Sequence, residues 1–259
     1  MSFLESELKF TEASFHPNNR GNTLANFREK GFAVVPAVFQ RDSVDAFRAQ
    51  IESLIEKGDH PSQPLKLESE DPILVHPAAA PRLIDMLGGT FMAWNNDPHP
   101  VLFHPAWAIK PSNPDKRLAH NWHKDADHEG KSNINGYSRP TVVHVNMYFE
   151  DMTIERGPTY VIPRSHRDAN ISPYDGATEE PLICNKGDAI LWDQRLWHRG
   201  SSRTEEGIRI VAIFGFFAVP ITAEQWTVSA SQKNAYLAAE SDQEKTLFGG
   251  PMNLEGDRS

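Results

Sequence analysis

The sequence predicts a mainly β fold with flanking helices, arranged as a double-sheet jelly roll. Short β-branched and aromatic runs fill the middle of the chain, and Gly, Pro, Asn and Asp separate them, whereas helical periodicity is confined to the two ends. Because many short strands must bury their apolar faces against one another, this pattern favours two packed sheets with helices outside. The predicted strands are residues 101–109, 141–149, 159–162, 189–197 and 208–219.

The chain of 259 residues suits a single domain, residues 1–259, built from three regions. Residues 20–90 are expected to form an N-terminal support of helices and one strand. Residues 91–220 should form the jelly-roll core, and residues 221–259 a helix followed by a loose tail. A core of this size needs no disulfide and no structural metal.

The N-terminal region is predicted to contain an edge strand with one helix before it and another after it. Residues 22–30 have apolar side chains on one helical side and are followed by Gly31, a common helix stop. Residues 32–39 are rich in β-forming residues but contain Pro36, which suits an edge strand. Residues 43–57 repeat apolar side chains at helical spacing. We expect these elements to pack on the core and assign them no chemistry.

Charge and cysteine content limit the class of partner. The net charge is −9, from 26 basic and 35 acidic residues, and no basic run is present, which argues against nucleic acid. The longest apolar run, residues 210–221, falls short of the roughly 20 residues that cross a bilayer. Residues 1–10 lack the basic start of a signal peptide, and the single cysteine, Cys184, suits a reducing compartment. We therefore expect a cytoplasmic protein with no membrane partner, whose oligomeric state is open.

The pair His123 and Asp125 has the spacing of a metal chelate. Side chains alternate along an extended segment, so an imidazole and a carboxylate two residues apart project to the same side. A third ligand is available at His198, which ends an apolar run 75 residues further on. Two histidines and one carboxylate on one side of an ion leave its other side open, as in non-haem Fe(II) oxygenases.

A second pair with the same spacing, His166 and Asp168, is the alternative chelate. It lies only 32 residues before His198, at the point where a strand enters a long polar loop. The pair His123 and Asp125 is favoured because its greater separation from His198 leaves room for the strands that bring distant ligands together. Taken alone, either pair is also explained by a surface histidine beside a loop aspartate.

Arg209 lies eleven residues beyond His198 inside an apolar strand. A buried guanidinium is costly unless it meets an anion, and its forked geometry suits a carboxylate. The alternative is a structural ion pair with a neighbouring Asp or Glu.

Other polar features near these motifs have more than one explanation. Two long polar segments, residues 126–139 and 168–180, are expected to be loops that are either functional or disordered, and their closeness to the proposed ligands suits lids over the site. Lys124, Arg195 and Arg199 flank the proposed ligands, and an anionic substrate or simple solvation explains them equally well. Three further histidines near apolar strands are expected to be structural rather than ligating, namely His99, His104 and His144.

The order of motifs resembles a known family. Three further motifs lie between Asp125 and His198, and Arg209 follows them; the motifs are Gly157-Pro158-Thr159, Pro163-Arg164-Ser165-His166 and Gly187-Asp188. Together they resemble the phytanoyl-CoA dioxygenase (PhyH-like) family of Fe(II)/2-oxoglutarate-dependent oxygenases, over about residues 32–217. The fold that this resemblance implies is a double-stranded β-helix, a cupin-like jelly-roll barrel with flanking helices.

The resemblance also implies roles for individual residues. His123, Asp125 and His198 are the implied Fe(II) ligands and catalytic centre, and Arg209 is implied to bind the distal carboxylate of 2-oxoglutarate. Thr159 matches a position whose hydroxyl often assists that carboxylate. His120 matches a position that often lines the cosubstrate, and Lys110 is a looser candidate for a carboxylate contact.

The chain departs from the family pattern at Gly200. Many members have serine at this position, two residues after the distal histidine, whereas Ser201 of this chain is out of phase. Either Thr159 supplies the hydroxyl or the carboxylate is held in another way. Halogenating relatives have a small residue in place of the metal-binding carboxylate, so Asp125 excludes halogenation.

The expected activity is oxidation of a small or medium-sized organic molecule by O2, with 2-oxoglutarate converted to succinate and CO2. Hydroxylation is the default outcome, desaturation and epoxidation are alternatives, and secondary metabolism is one setting. Two other functions remain open from the residues alone. One is a cupin-like metal-dependent isomerase or hydrolase, and the other is a non-catalytic jelly-roll module that binds a ligand.

Overall fold

Two antiparallel sheets carry the fold. The computed structural model describes residues 17–56, 100–111, 121–125, 140, 142–218, 236–242 and 245. In chain order the helices and strands are α1 (Pro17–Lys30), β1 (Phe32–Val35), α2 (Arg41–Glu56), β2 (Pro100–Pro111), β3 (Val142–Tyr148), β4 (Tyr160–Val161), β5 (Glu180–Pro181), β6 (Ala189–Asp193), β7 (His198–Arg199) and β8 (Ile208–Ala218). The major sheet has the strand order β1-β6-β3-β8-β2, and the minor sheet the order β5-β4-β7.

Apolar residues of both sheets meet in one buried core. Its members are Phe32, Tyr148, Met152, Val161, Leu182, Cys184, Ile190, Trp192, Leu196 and Val211. Because side chains alternate along a strand, His144 and Asn146 lie on the same side of β3 as the core residue Tyr148. The central strand of the major sheet therefore presents a row of polar groups to the interior between the sheets.

Four of the five predicted strands are present with bounds close to those expected. β1 lies at the edge of the major sheet and ends before Pro36, as predicted. Helix α1 begins earlier than predicted but ends at Lys30, just before Gly31. A β-carbon at Gly31 would lie 2.6 Å from Nδ1 of His166, and φ at this residue is +91°, so only glycine fits here.

The prediction of one strand over residues 189–197 is wrong. β6 ends at Asp193, and a tight turn leads into β7 at His198. The Asp193 side chain is fully buried and accepts hydrogen bonds from the backbone N and the guanidinium of Arg195, at 2.9, 2.8 and 2.6 Å. Leu196 N also donates to Asp193 O, at 2.9 Å. This ion pair closes the turn and moves the chain from the major sheet to the minor sheet, which apolar patterning does not reveal.

The polar segment at residues 168–180 is a loop, as predicted. It contains a 3-10 helix, Pro173–Asp175, capped by the hydroxyl of Ser172, and it leads into β5. The two-residue strand β5 was missed because Glu180 and Pro181 are poor strand formers. The predicted loop at residues 126–139 and most of the predicted C-terminal helix lie outside the described residues. The three-region plan of the chain stays a prediction.

Cys184 is buried, as predicted. Burial raises the pKa of its thiol to about 12, so the thiol is protonated and unreactive near neutral pH. Among the described residues, no helix combines the length and the apolar character that crossing a bilayer takes.

We expect Arg195→Ala to lower the free energy of unfolding by about 3–5 kcal/mol, because it leaves the buried Asp193 carboxylate without its partner. The matched control is Arg41→Ala. Arg41 pairs with Asp151 at 3.0 Å on the surface, where both side chains are about half exposed, so its loss should cost less than about 1 kcal/mol. Urea unfolding of the three proteins measures both effects, and equal losses would contradict the assigned role of Asp193.

Candidate active site

Three side chains from two distant segments of the sequence meet at the edge of the minor sheet. The ligand atoms of His123, Asp125 and His198 all lie within 4.8 Å of one another. His123 and His198 face each other in an antiparallel bridge, with reciprocal backbone hydrogen bonds of 3.0 and 2.9 Å. Asp125 N donates to Gln194 O at 3.2 Å, which anchors the same segment to the turn after β6. The chelate spacing and the distant histidine therefore converge, as the sequence predicted.

Both histidines are held in the tautomer that suits a metal ligand. Nδ1 of His123 lies 3.0 Å from Asn121 O, and Nδ1 of His198 lies 3.0 Å from Leu196 O. A carbonyl oxygen only accepts, so each Nδ1 carries the proton and each Nε2 keeps a free lone pair. The two Nε2 atoms lie 3.7 and 3.6 Å from Oδ1 of Asp125, too far for hydrogen bonds. These three atoms surround a space that a cation can enter.

The charge states also suit a divalent metal. Burial lowers the pKa of His198 to about 4, although the nearby Asp125 carboxylate opposes that shift, so the imidazole is neutral near pH 7. Partial burial raises the pKa of Asp125, but the interactions with His144, His198 and His123 outweigh it and hold the pKa below its usual value. The neutral imidazole of His198 and the ionised carboxylate of Asp125, with the His123 imidazole beside them, form a donor set that fits Fe(II).

His144 lies directly beside this group, although the sequence suggested only a structural role for it. Its Nε2 is 3.3 Å from Oδ2 of Asp125, and its ring stacks on Trp192 with centroids 4.5 Å apart. The ring of His198 contacts the same indole at 4.4 Å. The available signal was the alternation of polar residues in β3, at positions 144, 146 and 148, inside an otherwise apolar strand.

Arg209 is buried, with 4% of its surface exposed, and has no carboxylate partner within the described part of the chain. Its Nη1 donates to Gly157 O and, at 3.5 Å, to Ser201 O, while Nε has no hydrogen-bond partner among the described residues. Burial lowers the pKa of Arg209, and the nearby Tyr148 and Glu150 only partly offset this. The structural ion pair considered as the alternative is therefore not observed among the described residues, and the guanidinium can still bind an anion.

Two hydroxyl groups lie together near Arg209. The phenol oxygen of Tyr148 and Oγ1 of Thr159 are 3.0 Å apart. Tyr148 is directly opposite Val211 on β8, so Tyr148, Val211 and Arg209 share one side of the major sheet. Ser201 is directed elsewhere, because its hydroxyl donates to Pro158 O at 2.6 Å. The hydroxyl of Ser201 therefore does not take the place of the serine that many family members have at the position of Gly200.

Lys110 and His120 are the remaining candidates for cosubstrate contacts. Lys110 is the backbone partner of Arg209 in the pairing of β2 with β8. His120 lies outside the described residues.

The three cations that flank the ligands all have partners. Lys124 donates to Ser165 O at 2.9 Å, and Arg195 pairs with Asp193 as described above. Arg199 pairs with Glu179 at 2.9 Å and lies over the ring of Tyr160, 4.4 Å from its centroid. These contacts give each cation a structural role without an anionic substrate.

The alternative pair has another role in the fold. His166 is buried against the end of α1, with Nε2 3.2 Å from Arg28 O. The Asp168 carboxylate accepts a hydrogen bond from Asn170 N at 2.9 Å, within its own loop. Within the described ranges, the one group with metal-ligand spacing contains neither residue.

Comparison with protein families identifies the chain. The model of the phytanoyl-CoA dioxygenase (PhyH) family matches residues 27–211. The chain belongs to this family. Its members use Fe(II), 2-oxoglutarate and O2, and this chain is an oxygenase of that class, as the sequence predicted. A comparison with curated proteins returns no match.

Solved structures confirm the double-stranded β-helix fold. The 2-oxoglutarate-dependent epimerase SnoN from nogalamycin biosynthesis is 16% identical, with a TM-score of 0.59 over 78% of this chain and 84% of its own. The carbocyclase SnoK from the same biosynthesis is 20% identical, with a TM-score of 0.53 over 76% and 83%. HygX from Streptomyces hygroscopicus, with nickel and 2-oxoglutarate bound, is 19% identical, with a TM-score of 0.59 over 80% and 88%.

The buried His166 makes stability depend on pH. Burial lowers the pKa of His166 from 6.5 to about 4. Between these two pH values the imidazole is protonated in the unfolded chain but stays neutral in the folded chain. Stability therefore falls as the pH falls from 7 towards 4, and His166 alone should account for about 2 kcal/mol between pH 7 and pH 5.

The measurement is urea unfolding of the metal-free protein at both pH values, with His166→Gln as the comparison. The variant should be less sensitive to pH than the wild type by about that amount. Equal pH dependence of the two proteins would contradict the assignment.

Proposed function

We propose that this oxygenase binds Fe(II) through His123, Asp125 and His198 and oxidises a small or medium-sized organic molecule. The observation that supports this most directly is the convergence of two Nε2 lone pairs and one carboxylate oxygen, with both Nδ1 atoms occupied by backbone carbonyls. When bound, the iron supplies activation of O2, coupled to oxidative decarboxylation of 2-oxoglutarate to succinate and CO2. The protein holds the ligands in one geometry and leaves one side of the metal open.

We further propose that Arg209, Thr159 and Tyr148 bind the distal carboxylate of 2-oxoglutarate. The guanidinium is buried and has no carboxylate partner among the described residues, and the Tyr148 hydroxyl, with that of Thr159 beside it, lies on the same side of the major sheet. Arg209 contacts the backbone oxygen of Ser201, which is three residues beyond His198. Three residues of extended chain span about 10 Å, so the guanidinium lies within reach of a small molecule bound beside His198. Tyr148 and Thr159 would then supply the hydroxyl groups that the family serine supplies elsewhere.

The interior between the sheets limits access of water to this region. Val161 is fully buried and lies directly opposite His198 in the pairing of β4 with β7. Trp192 contacts the His198 ring from the major sheet. Val161 and Trp192 orient the His198 ring and shield one side of the proposed metal centre from water. This shielding restricts side reactions with solvent.

The proposed substrate class is a natural product of secondary metabolism. Support comes from the structural neighbours, since SnoN has been solved with nogalamycin RO and HygX with hygromycin B. A groove of about 430 Å³, lined by residues that include Ile162, Ile171 and Thr178, lies between the minor sheet and the loop at residues 168–180.

The sequence arguments further support a cytoplasmic enzyme without a nucleic-acid or membrane partner.

Asp125→Asn should reduce affinity for Ni(II) or Co(II) by at least about 100-fold. Even the loss of a residue that only hydrogen-bonds to a metal ligand typically lowers metal affinity by about 10–100-fold. Asp168→Asn, in the second pair of the same spacing, is the matched control and should leave affinity unchanged. Calorimetric titration of the metal-free proteins measures both. Equal affinities for the two variants would contradict the proposed ligand set.

Arg209→Gln should weaken 2-oxoglutarate binding by at least about 10-fold and leave metal affinity within about 2-fold, because the charged hydrogen bonds are lost while the ligands stay. Tyr148→Phe removes one hydroxyl without changing the core volume, and should weaken 2-oxoglutarate binding by a smaller factor. Titration of the Ni(II)-loaded proteins with 2-oxoglutarate tests this. Parallel loss of metal and cosubstrate binding in Arg209→Gln would indicate a structural role.

The activity itself is tested with Fe(II), 2-oxoglutarate, O2 and a panel of natural products that includes nogalamycin and hygromycin B. We expect succinate to form in amounts that match product when an accepted compound is present. Metal binding without any 2-oxoglutarate binding would favour a cupin-like isomerase or hydrolase. Absence of metal binding would favour a ligand-binding module.

A further inference from the structure

The two oxygens of Asp125 have different neighbours. Oδ1 is the atom near both proposed histidine ligands, at 3.7 Å from His123 Nε2 and 3.6 Å from His198 Nε2. Oδ2 is 3.3 Å from His144 Nε2, on the interior side of β3. One oxygen therefore lies among the free lone pairs, and the other lies against a third imidazole.

The position of His144 is fixed by contacts that do not involve Asp125. Its ring is stacked on Trp192 at an interplanar angle of 24°. The indole N of Trp192 donates to Oδ1 of Asn146, at 3.1 Å, and this contact keeps the indole in place. β3 is itself a central strand, paired with both β6 and β8. His144 is thus held by a rigid part of the fold.

Asp125 is less constrained than His144. Its side chain is about one-third exposed, and its own backbone is anchored to the turn after β6 by the hydrogen bond from Asp125 N to Gln194 O. A carboxylate on such a segment can rotate and exchange its two oxygens unless one of them accepts a hydrogen bond. Outer partners of this kind commonly fix the orientation of a metal-binding carboxylate.

We propose that His144 is a positioning residue that holds the Asp125 carboxylate with Oδ1 directed at the metal. Its Nε2–H donates to Oδ2, which removes that oxygen from competition for the ion. The distance from Nε2 of His144 to Oδ2 of Asp125, 3.3 Å, is slightly longer than a typical hydrogen bond, and this nitrogen has no well-aligned hydrogen-bond partner among the described residues. A small rotation of the imidazole ring would complete the bond. This inference rests on the proposed function, because it requires that Asp125 is a metal ligand.

A role for His144 as a fourth ligand fits the geometry less well. The ligand atoms that lie within 4.8 Å of one another belong to His123, Asp125 and His198, and His144 is not among them. Its nitrogen approaches Oδ2, the oxygen that is not between the other two imidazoles. The arrangement therefore places His144 behind the carboxylate rather than beside the ion.

The test compares two substitutions in the full-length protein. His144→Phe keeps an aromatic ring on Trp192 but removes the donor, and His144→Gln keeps a side-chain N–H donor of similar reach. Affinity for Co(II) is measured by calorimetry without cosubstrate, together with the thermal unfolding temperature of the metal-free proteins. We expect a 10–100-fold loss of affinity in His144→Phe and a loss of about 3-fold or less in His144→Gln.

Thermal unfolding of the metal-free variants separates positioning from a merely structural role. The unfolding temperature of metal-free His144→Phe should be close to that of the wild type. If this variant does not fold, His144→Met, which also lacks a donor, takes its place. Unchanged Co(II) affinity in a folded variant without a donor would overturn the inference, and so would equal losses in the donor-free variant and His144→Gln.

Two further measurements distinguish the remaining explanations. Pulsed electron paramagnetic resonance of the Cu(II)-substituted protein counts bound imidazoles, and we expect two in both the wild type and His144→Phe. A fall from three to two would make His144 a ligand and overturn the positioning role. In an Asp125→Asn background, His144→Phe should have no additional effect on metal affinity. If Asp125→Asn itself leaves metal binding intact, the proposed function fails, whereas loss in Asp125→Asn alone contradicts only the role of His144.

Discussion

The reciprocal backbone hydrogen bonds between His123 and His198 are the constraint on which the candidate site depends. They attach a short extended segment to β7 and so place two imidazoles opposite each other. The side chain of Asp125 then reaches the same space because it is two residues along the same extended segment. A backbone pairing, rather than a side-chain contact, therefore sets the distance between the proposed ligands. Side-chain contacts only refine their orientation.

The turn between β6 and β7 makes that pairing available. The buried ion pair of Asp193 and Arg195 closes the turn, and Gln194 within it accepts the backbone hydrogen bond of Asp125. The same four-residue turn thus carries the chain to the minor sheet and anchors the segment that holds the other two ligands. The structural element that apolar patterning failed to predict is the one that assembles the site.

The sequence was sufficient for the fold class, most strands and the convergence of His123, Asp125 and His198. Strand patterns and ligand spacing depend on alternation, which is local and therefore visible in a single sequence. His144 was assigned a structural role because its neighbour in space, Asp125, is 19 residues away in the sequence and the contact depends on strand register. Tyr148 was missed for the same reason, since its hydroxyl partner, Thr159, lies just before β4 of the minor sheet. Register between strands is a tertiary property that periodicity does not encode.

The pairing of His123 with His198 also has a consequence for the order of folding. It joins positions 75 residues apart, and the central strands β3 and β6 lie between them in the chain. Contacts of such long sequence separation carry a large entropy of loop closure and form after the strands that they enclose have paired. A nascent or partly folded chain therefore has the pair His123 and Asp125 but no complete chelate. With the proposed ligand set, the chain would hold iron firmly only after the double sheet has closed.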